Sequence, residues 1–129
     1  MSQYIGLVAI VVDDYDKAIE FYTQKLQFIL KEDTAVSDSK RWVVLAPKNS
    51  NGCGILLAKA INKEQHNRIG NQTGGRVFLF LYTDAFQHDY QKLLDQQVSI
   101  VRKPVEESYG TVAVFEDLYG NRWDLISVV

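Results

Sequence analysis

The side chains able to do chemistry in this sequence are few, and most lie in apolar runs. Asp124 interrupts the closing run Arg122 to Val128. A carboxylate held there away from water has a raised pKa and can act as a general base. It can instead pair with Arg76 or Arg122, and Arg122 lies two residues away on the same face of a strand. Arg76 follows GNQTGG, where a guanidinium can grip a substrate carboxylate in two places or simply end a strand at the surface. Arg41 adds further charge. Trp42, Phe80, Tyr109, Phe115 and Trp123 offer aromatic walls, and ligand sites commonly combine apolar walls with a few placed polar groups. Strand aromatics are core residues in most proteins, and Phe80 and Phe115 read as core on that ground. The run VFLFLY is apolar on both faces, so alternation does not place Phe80. Alternation does put Trp123 and Asp124 on opposite faces, so without a bulge only one of them meets a ligand. Tyr109, beside Gly110 at the start of a strand, either caps a ligand or fills a turn.

Other chemistries find little support. Cys53, between Gly52 and Gly54, has no Ser-His-Asp or Cys-His spacing to anchor it and reads as an incidental thiol in a tight turn. As the single cysteine it also excludes an intramolecular disulfide and a multi-cysteine zinc cage. GNQTGG lacks the Lys-Ser/Thr of a phosphate loop and leads into a strand rather than a helix. His66 falls in a polar linker, and His88 falls off the apolar stripe of a helix, as a solvated residue would.

These groups need a scaffold, and the chain is long enough to build one. Its 129 residues, 47% hydrophobic and 23% charged, describe one globular domain with a core that needs no disulfide or structural metal. A net charge of −2 is a poor start for binding a phosphate backbone, so no nucleic-acid partner is expected. Ile5 to Val12 is too short to span a bilayer, and Asp13-Asp14 follows it without a preceding basic segment. The expectation is a soluble, cytoplasmic protein with neither signal peptide nor membrane partner.

Ile5 to Val12 is a β-branched run suited to a strand buried on both faces. Asp13-Asp14 supplies an N-cap, after which Tyr15, Ala18, Ile19, Tyr22 and Leu26 line one face of a helix. Phe28 to Leu30, Trp42 to Ala46 and Ile55 to Ala58 then predict three strands. The second half repeats the order. Arg76 to Tyr82 is a strand, Asp84 starts a helix, and Val98 to Val101, Thr111 to Phe115 and Arg122 to Val128 are three more strands. An offset of 70 residues brings Asp14 onto Asp84, Tyr22 onto Lys92, Leu26 onto Gln96 and Phe28 onto Val98. The pattern is an internal duplication of a β-α-β-β-β unit, joined by a polar, glycine-bearing linker over residues 61–75.

VVDDYDKAIEFYTQKLQF resembles the strand-helix opening of the vicinal oxygen chelate superfamily, which includes glyoxalase I, extradiol dioxygenases and the bleomycin resistance proteins. FEDLYGNRWDLI resembles its closing hairpin, and the likeness runs from Tyr4 to Ile126. The resemblance implies an α+β fold: one domain of two βαβββ modules, about residues 4–60 and 76–129, with sheets curled around a shared cavity. It also implies a homodimer. The family usually has glycine just after each helix, where this chain has Gln27 and Gln97. A left-handed glutamine costs on the order of 1 kcal/mol relative to glycine. Either the helices close differently, or that cost is absorbed twice.

Catalytic members hold a divalent cation with His, Glu or Gln from the first and last strands of each module. Such ligands must converge at about 2.0–2.2 Å and leave positions open for substrate. Counted from Asp14 and Asp84, the first-strand positions are Leu7 and Val77; the closing-strand positions are Leu56 and Asp124. Only Asp124 can coordinate, so neither the usual metal nor another cofactor is expected. The function implied is binding or sequestration of an aromatic or amphipathic small molecule, with Trp42, Arg76, Tyr109, Phe115 and Asp124 as the site. The alternative is a superfamily lyase, isomerase or dioxygenase relative using Asp124 as its catalytic group, with Arg76 or a relocated metal. A third reading is an interaction subunit whose cavity is filled by side chains. A fold this versatile does not itself assign chemistry.

Overall fold

In the computed structural model, which describes residues 1–128, β1 is Leu7–Val12 and alternates instead of being buried on both faces. Ile10 and Val12 are fully buried while Leu7 and Ala9 are exposed, and Tyr4 and Ile5 lie outside the strand. A sheet with a helix on only one face produces this alternation, so the apolar run marks two different environments. The chain divides into two compact units, Met1–Ile69 and the residues from Gly70 onward. No helix among the described residues is long and apolar enough to cross a membrane.

In the first unit, β1 is followed by α1 (Tyr15–Glu20), β2 (Ile29–Ala35), β3 (Arg41–Ala46), β4 (Gly54–Lys59) and α2 (Lys63–Arg68). The sheet order is β1-β4-β3-β2, with β1 parallel to β4 and the other pairs antiparallel. Asp14 caps α1 as expected, its carboxylate accepting the Lys17 N–H at 3.0 Å. Tyr15, Ala18, Phe21 and Tyr22 are buried, and so are Ile10, Val12, Val43, Leu45, Ile55 and Leu57 on alternate positions of the strands. Tyr22 meets Phe21 edge-on at 5.3 Å and Phe28 at 5.6 Å between ring centres. At the rim, the Arg41 guanidinium donates to Asp33 at 3.1 and 2.7 Å and to Asp16 at 2.9 Å, while lying 5.2 Å from the Tyr15 ring centre. This fork ties α1 to the edge hairpin and occupies the charge of Arg41 in structure.

The second unit has β5 (Leu79–Thr83), α3 (Phe86–Asp95), β6 (Ile100–Glu107), β7 (Gly110–Glu116) and β8 (Arg122–Ser127), ordered β5-β8-β7-β6. Its buried face holds Phe115 stacked on Trp123 at 5.9 Å, with Ala113 and Leu125, and α3 contributes Phe86 and Leu93. Asp84 does not cap this helix. Ala85 holds the N-cap position, and the Thr83 hydroxyl accepts the Ala85 N–H at 2.9 Å while donating to Asp89.

The two repeats match, but the offset is not constant. Buried Tyr15 and Tyr22 correspond to buried Phe86 and Leu93, an offset of 71, whereas Phe28 and Val98 keep the offset of 70. The extra residue is absorbed where α1 continues as a π-helical turn, Phe21–Lys25. Both helices then close through a left-handed glutamine, Gln27 and Gln97 each at φ 59°. After α3 the closure is a Schellman pair, Val98 N–H to Leu93 C=O and Gln97 N–H to Leu94 C=O. The linker is not all loop. Asn62 caps α2 by accepting the Gln65 N–H, and the Gln65 side chain returns to accept the Ile61 N–H, each at 2.9 Å.

Candidate functional site

Each sheet has a second face, turned away from its α1 or α3 helix. In the first unit it carries Leu7, Ala9 and Val11 of β1, Leu56 and Ala58 of β4, Trp42 and Val44 of β3, and Glu32 of β2. Trp42 is 38% exposed there. In the second unit the register aligns Phe80, Asp124, Val114 and Arg102 in one row across β5, β8, β7 and β6. The next row is Tyr82, Ile126, Val112 and Val105. Phe80 and Tyr82 are 56% and 63% exposed, although both lie inside a strand.

Phe80 therefore does not belong to the core, contrary to the sequence expectation, and Phe115 does. Phe115 has no exposed surface and its ring is closed off by Trp123, so it forms the support beneath the site. Trp123 and Asp124 do face opposite ways, Trp123 inward at 3% exposure. Tyr109 is 57% exposed in the two-residue turn between Glu107 and Gly110. That turn needs a glycine, because a Cβ on Gly110, at φ 138°, would stand 2.7 Å from the Ser127 carbonyl oxygen.

Arg76 does not open a strand. It lies exposed in a bend before β5, its carbonyl accepting the Thr73 hydroxyl, because the ladder with β8 begins only at Leu79. Neither Arg76 nor Arg122 comes within ion-pair distance of Asp124 among the described residues. Loss of water raises the Asp124 pKa above the ordinary carboxylate value, and the positive charge of Arg102 works against that rise. The cation that Asp124 feels is thus on β6, and sequence reasoning missed it. A β-bulge explains the miss. Ile100 pairs with Phe115 and Arg102 with Val114, two residues against one, so Arg102 turns to the face opposite Ile100. Strict alternation would have put both on one face.

The 71-residue offset also corrects one position implied by the family likeness. With Leu56 matched to Asp124, Gly54 matches Arg122, and Leu7 therefore matches Phe78, whose N–H bonds the Arg122 carbonyl, rather than Val77. Neither Leu7 nor Phe78 offers a metal an electron pair. Among the described residues no group of three His, Cys, Asp or Glu side chains is arranged to hold an ion. His66 lies on α2, and His88 on α3 is exposed beside Asp89 at 3.5 Å.

The family model described as Glyoxalase/Bleomycin resistance protein/Dioxygenase superfamily matches residues 4–125. An uncharacterized protein of Shewanella frigidimarina (strain NCIMB 400) is 57% identical over 129 residues, covering 99% of this chain and 96% of the relative. Among solved structures, UcmS2 superposes with a TM-score of 0.84 at 28% identity, covering 98% of each chain. TnmS3, an antibiotic binding protein from Streptomyces sp. CB03234, superposes with a TM-score of 0.79 at 25% identity, covering 99% of this chain and 98% of its own. On the strength of the repeated βαβββ units and the match over residues 4–125, the chain belongs to the glyoxalase/bleomycin resistance protein/dioxygenase superfamily.

Proposed function

We propose that the protein binds and sequesters an aromatic or amphipathic small molecule on the helix-free face of its second sheet. The observation that carries this reading is the exposure of Phe80 and Tyr82 in the middle of a strand beside Asp124. Large rings left in water in the middle of an edge strand forgo burial worth about 2 kcal/mol each, which a planar ligand recovers by covering them. Likeness to an antibiotic binding protein supports the same class of activity. Trp42 offers the first sheet a comparable platform, and Tyr109 stands at a turn where it can cap a ligand. The assembly expected is a cytoplasmic homodimer.

A second reading has one observation in its favour, the carboxylate of Asp124 that loss of water makes more basic. It makes the protein a superfamily lyase, isomerase or dioxygenase relative with Asp124 as base.

Titration with biphenyl-4-carboxylate, followed by calorimetry, tests the proposal. Saturable binding is expected, and Phe80→Ala or Tyr82→Ala should each weaken it about tenfold. Binding that never saturates, or that neither substitution alters, removes the basis of the assignment. Recovery of a chemically changed probe would favour the catalytic reading.

A further inference from the structure

We infer that the ligand is two-headed: a planar aromatic body with a hydrogen-bond donor for Asp124 at one end and an anionic group for Arg102 at the other. The inference rests on the binding role proposed for the second sheet and names the chemical class that this face selects.

The geometry comes from the register. Asp124 pairs with Val114 and Val114 with Arg102, so the two charged residues stand two strands apart in one row. Adjacent strands are about 4.8 Å apart, which separates the two backbones by on the order of 10 Å. That is the length of two fused or linked aromatic rings. Between them Val114 gives a flat, nearly buried floor, and Phe80 continues the row beyond Asp124.

The neighbouring rows add no competing charge of one sign. On one side Tyr82, Ile126, Val112 and Val105 bring only a phenol. On the other, Arg122 is the cross-strand partner of Glu116, and Glu116 also accepts the Ser99 hydroxyl at 3.2 Å, so their charges offset locally. Among the described residues Arg102 has one ionic contact, to Glu107 at 4.0 Å, between partly exposed side chains. A contact at that limit yields readily to a carboxylate that takes the guanidinium in two places.

A ligand with a single charge is disfavoured at one end whichever sign it carries. An anion at Arg102 leaves Asp124 covered without a donor, and a cation at Asp124 leaves Arg102 covered without an acceptor. The bulge in β6 turns Arg102 onto the ligand face, and a like bulge in β2 turns Glu32 there in the first unit, so the fold supplies the position. What sets the second unit apart is Arg102 where the first has Glu32 and Asp124 where it has Leu56.

Calorimetric titration of the full chain with three probes tests the inference: 4′-aminobiphenyl-4-carboxylate, biphenyl-4-carboxylate and 4-aminobiphenyl. The two-headed probe is expected to bind at least tenfold more tightly than either one-headed probe. Arg102→Gln should abolish its advantage over 4-aminobiphenyl, and Asp124→Leu its advantage over biphenyl-4-carboxylate, with circular dichroism confirming that both variants fold. If all three probes bind within twofold of each other while Phe80→Ala still weakens them, the two-headed assignment is overturned and aromatic binding stands. An advantage that survives both substitutions places the heads elsewhere and also overturns it. Failure of every probe to bind overturns the binding role and this inference with it.

Discussion

Gln97 holds a left-handed backbone at φ 59° that only glycine adopts without penalty, and its side chain is exposed. Replacing it by glycine removes a conformational cost of about 1 kcal/mol, while the freer unfolded chain takes back part of the gain. Gln97→Gly should therefore stabilise the protein by about 0.5 kcal/mol, read as a higher urea midpoint at unchanged slope. A midpoint at or below the parent value would mean that the glutamine side chain repays its backbone. This position was legible in the sequence, because the family likeness marks where glycine normally ends each helix. Asp124 was legible for a similar reason: a carboxylate in an apolar closing run has no place in a core. Arg102 was not, since a bulge leaves no mark in composition yet turns Arg102 over, and a second irregularity before Val105 turns the strand back. Phe80 was ambiguous because VFLFLY is apolar at every position, and only the one-sided helix cover decides which of its residues meet water.

At the scale of elements, the duplication explains a defect that neither repeat explains alone. From buried Tyr15 to Phe28 the first unit spends one residue more than the second spends from Phe86 to Val98, and the π-helical turn takes up the difference. A deletion in a regular helix rotates everything beyond it by about 100° and exposes its apolar stripe. Within the π-helical turn the same deletion restores the second unit's spacing. Deleting exposed Gln24 should therefore leave a folded protein, destabilised by less than about 2 kcal/mol. Deleting exposed Gln91 from the regular α3 should cost at least about 4 kcal/mol, since it pulls Phe86 and Leu93 out of register. Thermal melts of the two variants make the comparison, and equal losses would show that the π turn is not a spare residue. Apart from α2, the strand and helix order was readable from hydrophobic period alone. The π turn was not, because an insertion that keeps both flanking faces apolar looks the same as a longer helix. The Asn62-x-x-Gln65 pair, a variant of the capping box in which Gln65 reaches Ile61 instead of Asn62, was present in the sequence and would have revealed α2, but the polarity of the linker masked it.

For the molecule as a whole, two carboxylates oppose one another in the response to acid, and they sit in different units. The forked hydrogen bonds from Arg41 hold the Asp33 pKa below its ordinary value of 3.8, so folding binds a proton there less readily than the unfolded chain does. Its stabilising contribution is full above 3.8 and is lost as pH falls through the lowered value. Asp124 has the opposite sign. Loss of water raises its pKa above 3.8, so relative stability is present below 3.8 and is lost as pH rises through the raised value. At neutral pH the protein therefore carries a charged Asp124 that works against its own fold, as a group kept for a ligand would. Asp124→Asn should stabilise the protein at pH 7 by up to about 1 kcal/mol, with the gain shrinking as the pH approaches 3.8. Asp33→Asn should destabilise it at pH 7, with that loss vanishing in acid. Urea unfolding from pH 3 to 7 reads both effects, and a Trp42→Phe background leaves Trp123 as the only indole, reporting on the second unit. In that background the Asp124 substitution should move the fluorescence midpoint at neutral pH. If it leaves the midpoint unchanged, water reaches Asp124 freely, and its charge costs the fold nothing at neutral pH.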